Sequence, residues 1–130
     1  MLIIKPIQDK SQQEQLCLRC KVEYDPDLLA YGAWVSDEFV GICQFKMGEA
    51  ATIVNLAKAV GTDDTEAMFI MGRQTMNFID LHGVHYAYYE AEGDEKFIKW
   101  LGFQKDENGR WSADLAAFFK SPCSAEKGNK

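Results

Sequence analysis

The chain is poor in the residues from which compact chemical sites are usually built. Its 130 residues include two histidines, four cysteines and three prolines. The histidines are His82 and His85, and Cys43 and Cys123 each stand alone, so nothing at metal-ligand spacing joins Cys17-Leu18-Arg19-Cys20 to complete a four-ligand zinc site. Basic residues are also in deficit, 14 against 20 acidic, for a formal net charge of −6. That removes the electrostatic footprint of a nucleic-acid or anionic-membrane binder. No stretch approaches the ~20 apolar residues of a membrane-spanning helix. The apolar run Met1–Ile4 ends at Lys5 and Pro6, too short for the core of a secretory signal. There is no phosphate-cradling glycine loop, dinucleotide fingerprint or nucleophile elbow. A cytoplasmic protein with reduced thiols, no metal, no nucleic acid and no membrane contact is the expectation.

What is present is an ordinary globular composition, 47% hydrophobic and 26% charged. A chain of this length buries roughly two-thirds of its unfolded surface and needs no staple to fold. No repeat or linker divides it. Residues 1–119 read as one domain, and 120–130, small and polar, as a flexible tail.

Periodicity and punctuation place the elements. Met1 to Pro6 reads as a strand. Asp9 or Ser11 caps a helix to about Val22, with Gln13, Leu16, Cys17 and Cys20 facing inward. The two thiols lie on one face in mid-helix, which suits core packing and not a disulfide. Leu28–Val35 and Phe39–Phe45 form a hairpin, and Ala51–Ala59 adds a third antiparallel strand. Thr65–His82 is the longest helix, with Phe69, Ile70 and Phe78 expected in the core and Gly83 at its end. Gly72 within it costs ~1 kcal/mol of helix propensity, so a close neighbour is expected there. His85–Glu90 is a strand and Asp94–Leu101 a short helix. Two strands follow around Asn108-Gly109, the last running from Trp111 to Phe119. The order β-α-β-β-β-α-β-α-β-β predicts an α+β fold, a mixed and mostly antiparallel sheet with helices on both faces.

Two stretches carry a family likeness. Lys96-Phe97-Ile98-Lys99-Trp100-Leu101-Gly102-Phe103 resembles the final-helix motif A-x-x-L-Y-E-K-L-G-F of the GNAT superfamily of N-acyltransferases. The hairpin Ala33–Ile42 resembles that family's strand pair, v-a-x-d-g-x-i-v-G-f. The resemblance implies an acyl-CoA N-acyltransferase fold, with acetyl-CoA or another acyl-CoA as co-substrate and a small-molecule or peptide amine as acceptor. A homodimer is compatible with it. It also implies a donor site in a split between the fourth and fifth strands, the pantetheine arm on strand four and the pyrophosphate on amides at the next helix start. The positions implied are Leu56, Ala57 and Lys58, and, by an ungapped count, Ala67 and Met68.

The chain departs from the family where the chemistry sits. The signature Q/R-x-x-G-x-G/A falls on Asp63–Met68, with Asp63 for the cation and Glu66 and Met68 for the glycines. The tyrosine that often protonates the departing thiolate falls on Ile98, and the asparagine after strand five on Ala91. In their stead, Glu90 is the candidate base and Tyr88 the candidate acid, at the end of strand five that opens on the transfer centre. The plainer reading makes Glu90 and Glu92 solvated carboxylates and the tyrosines rim aromatics. Likewise Asp63-Asp64-Thr65-Glu66 suits a helix start, with Thr62, Asp63 or Thr65 as the cap. Two functions therefore compete: an N-acyltransferase, and a non-catalytic binding or interaction module that kept the fold and lost the pyrophosphate site. The segment from Val60 to Met68 separates them.

Overall fold

The structure is a computed structural model, and it describes residues 1–120. The elements are β1 (Leu2–Pro6), α1 (Lys10–Cys20), β2 (Leu29–Val35), β3 (Glu38–Lys46), β4 (Ala51–Lys58), α2 (Thr65–Leu81), β5 (Tyr86–Tyr89), α3 (Glu95–Leu101), β6 (Gln104–Lys105), β7 (Trp111–Asp114) and α4 (Leu115–Lys120). One seven-stranded sheet runs β1-β2-β3-β4-β5-β7-β6, parallel only where β4 meets β5. This is the α+β arrangement expected from the element order. The tail beyond Lys120 lies outside the described residues.

Strand β3 is buried over seven consecutive residues because helices cover both faces of the sheet. Its Cys43 and Phe45 pack beneath α2 with Met71, Met76 and Ile79. Its Ile42 packs beneath α1 with Leu16, Cys17 and Cys20. Gln13 is fully buried on that same face of α1, as its spacing predicts. Asp9 caps α1 by accepting from the Ser11 amide at 2.9 Å.

Three expectations need correction. The inward face of α2 is Ala67, Met68, Met71, Gly72, Thr75, Met76 and Ile79. Phe69 and Phe78 are half-buried and Ile70 is 37% exposed, because one helix face meets the sheet and the aromatics lie at its margins. Phe69 stacks on Trp100 of α3 at 3.9 Å, and Phe78 meets Tyr31 and Phe45 edge-on. The last strand stops at Asp114, not Phe119. The Asp114 carboxylate accepts from the Ala117 amide at 3.2 Å and starts α4, whose Leu-Ala-Ala-Phe-Phe favours helix once capped. The cap of α2 is Asp64, which accepts from the Ala67 amide at 2.9 Å; Thr62 instead donates to the Ala59 carbonyl at 2.7 Å.

Gly72 has the close neighbours its position demands. A Cβ there would lie 2.8 Å from Leu101 Cδ2 and 3.0 Å from Leu56 Cδ1, so α2, α3 and β4 meet at this point. Gly102 ends α3 at φ +118, and a Cβ on it would lie 2.7 Å from the Phe118 ring of α4.

Candidate active site

The site begins with one extra residue. Between β3 and β4, Gln44 pairs with Asn55 but Phe45 pairs with Ile53, so Val54 is the surplus residue of a bulge. The pairing of β4 with β5 ends at the same place. It covers Ala51–Ile53 against Ala87–Tyr89, closes with the Glu90 amide donating to the Ile53 carbonyl at 2.9 Å, and goes no further. Beyond it the strands part, β4 remaining on β3 as far as Gly41↔Lys58.

The bulge also switches which peptide groups face the gap. Ala59 donates its amide to Val40 of β3 at 2.9 Å. By strand alternation the Ala57 amide turns to β3 as well, and those of Leu56 and Lys58 turn toward the gap.

Two clefts open on the parting strands, one from each face. The cleft on the α2 and α3 face encloses about 570 Å³, with Leu56, Ala57, Lys58, Met68, Tyr89 and Gly93 among its lining. The cleft on the α1 face, about 420 Å³, has Cys20 at the end of α1 and Lys21, Val22 and Glu23 after it on one side and Glu90–Glu92 on the other. Leu56, Ala57 and Glu92 line both.

The residues singled out in the sequence distribute as follows. Leu56, Ala57, Lys58 and Met68 line the first cleft. Ala67 is buried at the start of α2, its amide taken by Asp64. Glu90 lines the second cleft, and Arg110 donates to its carboxylate at 3.1 Å. Tyr88 lines neither; its ring lies under the Arg110 guanidinium at 3.6 Å. Its neighbour Tyr89, 3% exposed, is the tyrosine in the first cleft. Sequence reasoning missed Tyr89 although a signal existed: alternation puts Ala87 and Tyr89 on one face, Tyr86 and Tyr88 on the other.

Charge at the mouth of the first cleft is arranged around Lys58. Its ammonium donates to Asp63 and, at 3.1 Å, to Thr65 Oγ1 at the start of α2. The hydrogen bond from Lys58, then its charge, holds the Asp63 carboxyl below its usual range. A cation thus stands at the head of α2, but it comes from β4 and not from the loop, and it is already paired.

The wall of the second cleft is tied down by buried amides. Gln13 donates to Gln44 Oε1 at 2.9 Å, and Gln44 donates to the Glu23 carbonyl at 2.9 Å. Gln44→Leu removes both bonds, leaving the Glu23 carbonyl without this donor and Gln13 with only its 3.3 Å bond to the Leu28 carbonyl. The expected loss is about 1–3 kcal/mol, with faster amide exchange from Val22 to Tyr24, measurable by hydrogen exchange. Unchanged exchange there would show that the network does not hold the turn. Among the described residues no group of three or more His, Cys, Asp or Glu is placed to hold a metal. No described helix is long and apolar enough to cross a membrane.

No protein-family model and no curated protein matches the sequence. Solved structures do match its shape. An IAA acetyltransferase from Bacillus cereus superposes with a TM-score of 0.71 at 16% identity, covering 88% of this chain and 100% of the other. The ribosomal-protein-S18-alanine N-acetyltransferase of Escherichia coli gives 0.67 at 12% identity, over 88% and 94%. A Bacillus subtilis acetyltransferase solved in complex with CoA gives 0.66 at 16%, over 88% and 99%. The chain has the GNAT fold. Within that fold the parting of β4 and β5 is where the resemblance in the sequence implied a donor site.

Proposed function

We propose that residues 1–119 act as one domain that transfers an acyl group from acyl-CoA, acetyl-CoA being the simplest, to a primary amine. The observation that carries this reading is the gap between β4 and β5. The amides of Leu56 and Lys58 face it, and it opens from both faces; this reading gives one face to the acyl donor and the other to the acceptor. The pantetheine arm lies along Leu56, Ala57 and Lys58, with Met68 beneath it. The Lys58 ammonium exchanges Asp63 for a pyrophosphate oxygen. An amide facing the gap polarises the thioester carbonyl, as in an oxyanion hole. The amine enters from the α1 face and attacks the carbonyl directly, and Glu90 on that face takes its proton.

One observation favours the second reading, a fold kept for binding without catalysis. Asp64 occupies the Ala67 amide and Asp63 occupies Lys58, so the groups that would hold a pyrophosphate are engaged. A melting series with acetyl-CoA from 10 μM to 5 mM separates the two. A ligand at ten times its dissociation constant stabilises by about 1.4 kcal/mol, or about 4–8 °C here. The expected result is little shift at tens of micromolar and a clear rise at millimolar concentration. Release of free CoA thiol on adding a panel of primary amines then reports transfer. No shift at 5 mM assigns the chain to the binding module.

A further inference from the structure

Lys21 stands where a glycine is usual. It closes α1 in left-handed backbone, φ +55, and the Val22 amide beyond it donates to the Cys17 carbonyl at 3.1 Å. Helices that end this way commonly do so on glycine, because a Cβ makes the conformation costly. The dipole favours a cation at a helix C-terminus, but Arg19 already supplies one in the last turn. The chain on either side of Lys21 is anchored. The Val60 amide donates to the Arg19 carbonyl at 2.8 Å, and Gln44 donates to the Glu23 carbonyl at 2.9 Å. The Lys21 backbone is thus held between a tie to the segment after β4 and a tie to β3. Its side chain is exposed, and among the described residues no ion pair engages its ammonium. Lys21 lines the α1-face cleft together with Leu56 and Ala57 of the parting strand, and Glu90 and Glu92 line the same cleft. Lys58, on the other cleft, is paired with Asp63. The wall of the acceptor-side cleft therefore carries an untied primary amine on a four-carbon stem.

We propose that Lys21 is a modification site: the chain transfers the acyl group of a bound acyl-CoA to the ε-amine of its own Lys21. This rests on the acyl-transfer reading and adds to it an acceptor that belongs to the chain itself. Glu90 takes one proton from the ammonium, and the nitrogen lone pair forms the C–N bond at the thioester carbon. The C–S pair leaves on sulfur, and the nitrogen sheds a second proton to water. The thiolate takes a proton from water as CoA departs. The product is a neutral amide, because acylation removes the lysine charge. The charged groups left lining that cleft are then carboxylates alone, Glu23, Glu90 and Glu92. The modified chain therefore offers later amines a narrower and more acidic entrance.

The test uses the full chain as its own substrate. The folded protein, and the same protein in urea, are incubated with 5 mM acetyl-CoA at pH 8, and acetylation of each lysine is followed by peptide mass spectrometry. Lys46 and Lys99 are exposed and line neither cleft, so they report the uncatalysed rate. Lys21 is expected to be modified ~100-fold faster than either, the lower end of what general-base help contributes. That excess is expected to vanish in urea. The rate constant at Lys21 is also expected to be unchanged on dilution of the protein, since donor and acceptor share one chain. Acetyl transfer to added primary amines with Lys21 no faster than Lys46 and Lys99 would overturn the assignment and leave the acyl-transfer reading standing, as would a Lys21 rate that falls with dilution. An excess at Lys21 without transfer to any added amine would sustain both. No transfer to added amines and no excess at Lys21 would overturn both.

Discussion

Above pH 9 the protein is expected to lose stability steeply. Cys17, Cys20 and Cys43 are buried free thiols on α1 and β3. Burial pushes Cys17 up to about 11 and Cys20 and Cys43 up to about 12, from an ordinary 9.0. In the folded chain they stay protonated where the unfolded chain ionises them. From pH 9 to pH 11 the unfolded state thus binds fewer protons, and stability falls as pH rises. Each thiol contributes a slope of at most about 1.4 kcal/mol per pH unit. Three such slopes over one to two units are comparable to the ~5–15 kcal/mol that holds a domain together. The melting temperature is expected to hold from pH 7 to 8.5 and to fall sharply by pH 10.5, with Cys17→Ala/Cys20→Ala flattening the fall. A level melting curve across that range would show that the thiols ionise in place.

The second large effect is expected at Gly102. Alanine there meets two penalties. The φ of +118 is one that residues with a Cβ rarely adopt, and the new methyl would press on the Phe118 ring at 2.7 Å. Left-handed backbone costs about 1–2 kcal/mol and overpacking typically 1–3, for a total of about 2–5 kcal/mol. Gly83→Ala isolates the first penalty, since its φ is +86 and nothing lies within 4 Å of its would-be Cβ. Denaturant melts of the two variants should differ by the packing part. If they fall together, α4 contributes nothing to the seat of α3.

Those two cases also show what the sequence could and could not reveal. The element order, the burial of Gln13 and Cys20, and the terminal Leu101-Gly102-Phe103 were legible because they rest on local rules of spacing, capping and left-handed backbone. The α4 helix was hidden because Trp111–Phe119 is apolar enough, apart from Ser112 and Asp114, for strand or helix, and the Asp114 cap decides it. The site was half legible. Leu56, Ala57 and Lys58, which the family likeness implied, line the first cleft, but finding Tyr89 there required the strand's face to be known, and that is set by tertiary packing. Lys58 at the head of α2 was invisible as a cation for that helix, because the contact joins the end of one element to the start of the next across seven residues.

Val54 has a further consequence. A sheet's unpaired margin normally invites another strand and so invites aggregation. By surplus of one residue, β4 acquires such a margin in the middle of its own sheet, with β5, Gly93 and the head of α2 standing guard around it. A second β-strand needs about 4.8 Å on either side to pair and must bring side chains with it. This interior margin is therefore closed to a further strand and open only to something thinner. The existence of the slot is thus a property of the backbone: it depends on the count of residues between Ile53 and Asn55.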